Sequence, residues 1–111
     1  MKKEAYRDYA TAAFELYGRN EDDETWGRMT PEEQDDLRCC RAVMIEAAVR
    51  GRQYVADAVR AVYMAGGARS RSAISTRVVT FGMANGMDER TVYRYLAEAR
   101  AAFARYRGLR M

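Results

Sequence analysis

Residues 74–96 read ISTRVVTFGMANGMDERTVYRYL, and this stretch decides the fold. Ile74, Val78 and Phe81 fall at i, i+4 and i+7, one face of a helix. Asn85-Gly86 follows, a pair that tolerates positive φ and so ends a helix. Asp88 can cap the free N–H groups of the next turn and suits the positive end of the helix dipole. Val92, Leu96, Ala99, Phe103 and Tyr106 then continue at helical spacing. Glu89, Arg90, Tyr93 and Arg94 lie between them and are expected to project away from the core. Phe81 and Leu96 are expected to be buried where the two helices cross.

Two helices joined by a tight turn resemble the helix-turn-helix of DNA-binding proteins. Gly82 stands four residues before Gly86, at the place where the family carries a small residue because its helices cross. Gly86 matches the turn glycine. The run from Gly86 to Leu96, GMDERTVYRYL, resembles the family's recognition helix. The resemblance covers about a fifth of the chain. A preceding helix (Tyr54 to Met64) and the tail Ala97 to Arg100 also resemble the promoter-reading C-terminal region of bacterial sigma factors and small phage- and mobile-element-encoded regulators. The long GGARSRS loop (Gly66 to Ser72) and the N-terminal aromatic helix depart from the sigma pattern. A helical hairpin that only packs a core is the plainer alternative.

The rest of the chain reads as all-α, with five to six helices and the helix-turn-helix at the C-terminal end. Its 111 residues suit one domain with a small appendage, and 49% hydrophobic residues suffice for a core. Proline occurs once, and helix-favouring residues are frequent. Residues 1–30 read as an aromatic helix and an acidic loop, and residues 31–111 as the helical body. Helix one spans Lys3 to Tyr17, ended by Gly18. Its stripe of Tyr6, Ala10, Ala13 and Tyr17, with Tyr9 and Phe14 beside it, reads as core rather than a base-stacking surface. Thr30-Pro31-Glu32-Glu33 is a strong helix start. Gly51 predicts a break, although Tyr54 and Ala58 would also extend one continuous helix to Met64. Tyr54 to Met64 turns Val55, Val59 and Val62 inward, and Gly66-Gly67 stops it. The last helix runs from about Glu89 to Arg107 and ends at Gly108.

Charge is unevenly placed. Residues 1–37 hold five Lys/Arg and eleven Asp/Glu, so −6; residues 38–111 hold fourteen Arg and five Asp/Glu, so +9; together these give the overall +3. A basic body behind an acidic lead fits nucleic-acid binding, and ordinary solvated charge is the bland alternative. All but Lys2 and Lys3 of the basic residues are arginines, which suit bidentate contact with phosphate and guanine.

Enzyme chemistry finds little support. The chain has no histidine, which removes the commonest general base and zinc ligand. Adjacent Cys39 and Cys40 cannot hold a tetrahedral metal alone, and their adjacency disfavours a disulfide. The acidic runs at 21–24 and 35–36 lack calcium-loop spacing. No phosphate-cradling loop occurs. The reading therefore holds no enzyme, no cofactor and no metal. It has no secretory signal or membrane span, and places a reduced protein in the cytoplasm.

The helix-turn-helix resemblance implies a transcriptional regulator that binds duplex DNA. The helix from Glu89 would enter the major groove, with Arg90, Tyr93 and Arg94 reaching bases or phosphates and Glu89 accepting from cytosine. Ser75, Thr76 and Arg77 would hold the backbone, and Arg69 and Arg71 would meet phosphate. Arg100, Arg105, Arg107 and Arg110 would add unspecific affinity. Helices one and two would build a homodimer interface or bind another protein. The competing expectation is a protein that inhibits a host nuclease or RNA polymerase through Tyr6, Tyr9, Phe14, Tyr17 and Trp26. A DNA-packaging adaptor is a third.

Overall fold

Helix signals in the sequence and helices in the structure coincide along most of the chain. The structure is a computed structural model, and it describes residues 5–19, 26–65 and 71–109, with only the backbone of residues 71 and 72. Its elements are α1 (Arg7–Arg19), a 3-10 turn (Trp26–Arg28), α2 (Pro31–Val49), α3 (Gln53–Val62), α4 (Arg71–Asn85) and α5 (Glu89–Arg107). Among the described residues there is no strand. None of these helices is long and apolar enough to cross a membrane.

The start of α2 is set by its first residues. Thr30 Oγ1 accepts from the Glu33 N–H at 3.1 Å, and Glu33 Oε1 accepts from the Thr30 N–H at 2.9 Å. This reciprocal pair satisfies two donors that the first turn leaves open. The helix stops where Gly51 takes φ +72, a left-handed turn that glycine adopts without strain. The break is therefore real, and the continuous helix to Met64 is not formed. At the end of α3, Tyr63 donates its N–H to the Val59 carbonyl. That helix ends before Gly66-Gly67, which lie outside the described residues.

Around α5 the other four helices assemble, each packed against it. Its inward side chains Val92, Leu96, Ala99 and Phe103 are buried, and the small Ala102 and Ala104 beside them are buried too. Val55, Val59 and Val62 of α3 join them, as the spacing predicts. From α1, Tyr6, Ala10, Ala13 and Phe14 enter the same core. The Phe14 ring lies 5.7 Å from Phe103 and 6.1 Å from Tyr63, distances at which aromatic pairs attract beyond simple burial. Most of the N-terminal stripe is thus core, but Tyr17 is only half-buried and Tyr9, beside it, is exposed.

Four local expectations are corrected. Gly18 does not end α1, which runs on to Arg19. Its glycine serves close approach instead, because a Cβ there would lie 2.6 Å from the Met64 Cα. Residues 3 and 4 of the expected first helix lie outside the described residues, and α1 starts at Arg7. The loop expected to reach Ser72 already gives way to α4 at Arg71. Tyr106, expected inward, is 44% exposed because its hydroxyl donates to the Glu46 carboxylate on the surface. Cys39 and Cys40 are both free thiols, and burial pushes each above its ordinary pKa.

Candidate nucleic-acid interface

The junction of α4 and α5 is built by short-range chemistry. Val78 and Phe81 point inward from α4, while Ile74 is half-buried. Asn85 Nδ2 donates to the Phe81 carbonyl at 2.8 Å, folding the side chain back one turn onto its own helix. Gly86 sits at φ +66. The Met87 N–H then donates back to the Gly82 carbonyl at 2.8 Å and closes the turn.

A Cβ at Gly82 would lie 2.6 Å from the Met87 carbonyl oxygen and 3.5 Å from Val92 Cγ2. The small residue is therefore required by the turn's own backbone, with α5 close behind it. Asp88 starts α5 by accepting from the Thr91 N–H at 2.8 Å. Hydrogen bonds from Thr91 hold the Asp88 carboxyl below the usual carboxylate range, with attraction from Arg90 and Arg94 added.

The first turns of α5 place Glu89, Arg90 and Arg94 at the surface. Tyr93 differs from its expectation. It is half-buried against the core, and its hydroxyl lies 3.4 Å from Ser75 Oγ on α4. It links the two helices rather than projecting clear of them. Its place three residues before the buried Leu96, on a neighbouring part of the same helix face, was the available signal.

Ser75 and Thr76 are exposed, so the N-terminal part of α4 and the start of α5 share one side of the molecule at Ser75 and Tyr93. Arg77 is half-buried and donates from Nη1 to the Val62 carbonyl at 3.0 Å, which ties α4 to the end of α3. Arg69, and the side chain of Arg71, lie outside the described residues.

The arginines of α5 divide into two groups. Arg100 is only 4% exposed and donates from Nη1 to the Tyr63 hydroxyl at 2.6 Å. Arg105 pairs with Glu46 at 3.0 Å, and Arg107 Nε with Asp36 at 2.7 Å. The expectation that this tail adds unspecific affinity is overturned for Arg100 by its burial, and weakened for Arg105 and Arg107 by their ion pairs. Arg110 lies outside the described residues. Arg90 and Arg94 have no acidic partner at ion-pair distance among the described residues.

A second polar cluster flanks α5. Arg52 forms a two-pronged pair with Glu98 at 2.6 Å in each arm and stacks 5.2 Å from the Tyr54 ring centroid. Tyr54 in turn lies 4.8 Å from Tyr95. Arg52 is thus engaged within the fold.

Of the aromatic residues in the competing protein-binding expectation, Tyr6 and Phe14 are buried. Trp26 is half-buried, with the Arg38 guanidinium 5.3 Å from its ring. The acidic run at 21–24 lies outside the described residues. No protein-family model, curated protein or solved structure matches the chain.

Proposed function

We propose that this chain binds duplex DNA sequence-specifically as a transcriptional regulator, with α4 and α5 acting as a helix-turn-helix. One observation carries the reading. The two arginines near the start of α5, Arg90 and Arg94, are exposed and have no acidic partner at ion-pair distance among the described residues, whereas Arg100, Arg105 and Arg107 of the same helix are engaged in the fold. An unpaired guanidinium on a helix end offers the planar fork that matches guanine O6 and N7 or a phosphate.

In this mechanism the N-terminal part of α5 enters the major groove. Arg90 and Arg94 contact base edges, and Glu89 accepts from a cytosine amino group. Ser75 and Thr76 hold the phosphate backbone. Tyr93 sets the angle between the helices through Ser75 and adds its ring edge to the groove wall. Arg77 acts indirectly, by anchoring α4 to α3. Arg69 and Arg71, just before or within the first turn of α4, add phosphate contacts.

Selection of duplexes from a random library by the intact chain tests the reading. Enrichment of a common sequence, lost with Arg90→Ala and Arg94→Ala, is the expected result. Recovery of unrelated sequences, or of none, rejects it.

A further inference from the structure

Val49 is 80% exposed and Ile45 53% exposed. They stand one turn apart on α2, on the side opposite the buried Leu37, Cys40, Val43, Met44 and Ala47. Single exposed apolar residues are ordinary. Here two are stacked on the outer face of one helix, and a third flanks them. Tyr106 of α5 is joined to this helix by its hydrogen bond to Glu46.

The charges around these residues are one-sided. Glu46 is engaged by Tyr106 and, through both carboxylate oxygens, by Arg105 at 3.0 Å. Arg41 stands one turn before Ile45, and Arg50 follows Val49. Both are exposed, and neither has an acidic partner at ion-pair distance among the described residues. The apolar strip therefore has a basic rim, and the one acid between Arg41 and Arg50, Glu46, is held by Tyr106 and Arg105 with a further attraction from Arg50.

We propose that this face of α2 docks an acidic amphipathic helix of a partner protein. An apolar i, i+4 stripe on the partner covers Ile45 and Val49, and its flanking carboxylates meet Arg41 and Arg50. Charge decides between occupants. A second copy docked through this same face would set the exposed Arg41 and Arg50 of one copy against those of the other, with Glu46 already engaged in each. A nucleic acid would set phosphates against Ile45 and Val49 and leave their apolar surface without a counterpart. An acidic helix satisfies both the strip and the rim, in the way amphipathic helices fill apolar grooves. The surface uses none of the residues assigned to DNA and stands whether or not that reading holds.

The test titrates the intact chain with three synthetic helical peptides. All carry the same leucine stripe at i, i+4 spacing, flanked by glutamate, by lysine or by glutamine, and backbone amide NMR shifts are followed. The glutamate peptide is expected to give saturable shifts centred on Ile45, Val49 and Tyr106, with affinity about tenfold or more above the lysine peptide and falling as salt rises. Val49→Asp should weaken it about tenfold while leaving a dispersed spectrum, because the side chain is exposed. The double variant Arg41→Glu/Arg50→Glu should turn the preference towards the lysine peptide. Equal binding of all three peptides, absence of saturable shifts, or shifts centred elsewhere would overturn the proposal. Concentration-dependent shifts at Ile45 and Val49 without any peptide would overturn it in favour of a second copy.

Discussion

Tyr9 of α1 and Arg107 of α5 donate to the same atom, Oδ1 of Asp36 on α2, at 2.8 and 2.7 Å. Three helices are thus joined through one carboxylate. Arg107 and Asp36 are each less than a quarter exposed, so solvent screens this pair less than an ordinary surface ion pair. Asp36→Ala removes the acceptor that both donors share and leaves a half-buried guanidinium without its counter-ion. A loss of about 1–3 kcal/mol is expected in urea unfolding, against a smaller loss for Tyr9→Phe, which keeps the ion pair. Equal losses in the two variants would place the stabilisation in the phenol instead.

The two glycines of the α4–α5 junction should each resist substitution, for different reasons. Gly→Ala within a helix normally stabilises by about 1 kcal/mol. Gly82→Ala should instead destabilise, because the new Cβ meets the Met87 carbonyl oxygen, a backbone atom that cannot rotate away. At Gly86 there is open space but φ is +66. Gly86→Val should lose about 1–3 kcal/mol to backbone strain, whereas Gly86→Asn should lose much less, since asparagine visits this region. Melting temperatures of the three variants check the assignment. A stabilised Gly82→Ala would show that the Met87 carbonyl does not approach Gly82 this closely.

Acid should weaken the fold partly through Glu46. The hydrogen bond from Tyr106, followed by that from Arg105, holds its carboxyl below the ordinary value of 4.5. A group whose folded pKa is depressed contributes stability that is complete above the unfolded value and is lost as pH falls through the folded one. The melting temperature should therefore decline below about pH 4.5, and less steeply in Glu46→Gln. On the alkaline side the same hydrogen bond raises the Tyr106 pKa above 10.0. That contribution is present below pH 10.0 and fades as pH rises through the higher folded value. Parallel acid profiles for wild type and Glu46→Gln would remove Glu46 from this account.

Local signals in the sequence sufficed where local chemistry decides. The Thr30–Glu33 reciprocal cap, the Gly51 break, the Gly86 turn, the Asp88 cap and the left-handed Gly108 at the end of α5 are all found where residue type places them. The phases of α3 and of the inward face of α5 followed from spacing alone. What spacing could not show were pairings between distant residues. Arg100 sits in the core because Tyr63, thirty-seven residues earlier, supplies an acceptor. Tyr106 turns outward because Glu46 lies sixty residues away in sequence and beside it in space. Gly18 resembles a helix stop, yet its reason is the Met64 backbone. For the candidate site, exposure of Glu89, Arg90 and Arg94 was legible, while the Ser75–Tyr93 link and the Arg77–Val62 anchor depend on how α4 sits against α5 and α3.

The most direct test of the central claim is a binding titration at several salt concentrations, on a selected duplex and on a scrambled one. Wild type is expected to prefer the selected duplex. Arg90→Ala and Arg94→Ala should each lower affinity for it by about 1–3 kcal/mol and relax preference at one position. Arg69→Ala/Arg71→Ala should weaken both duplexes alike and reduce the salt slope by about two units. Equal affinity of wild type for the two duplexes, or no duplex binding at low salt, would contradict the proposal that α4 and α5 read DNA.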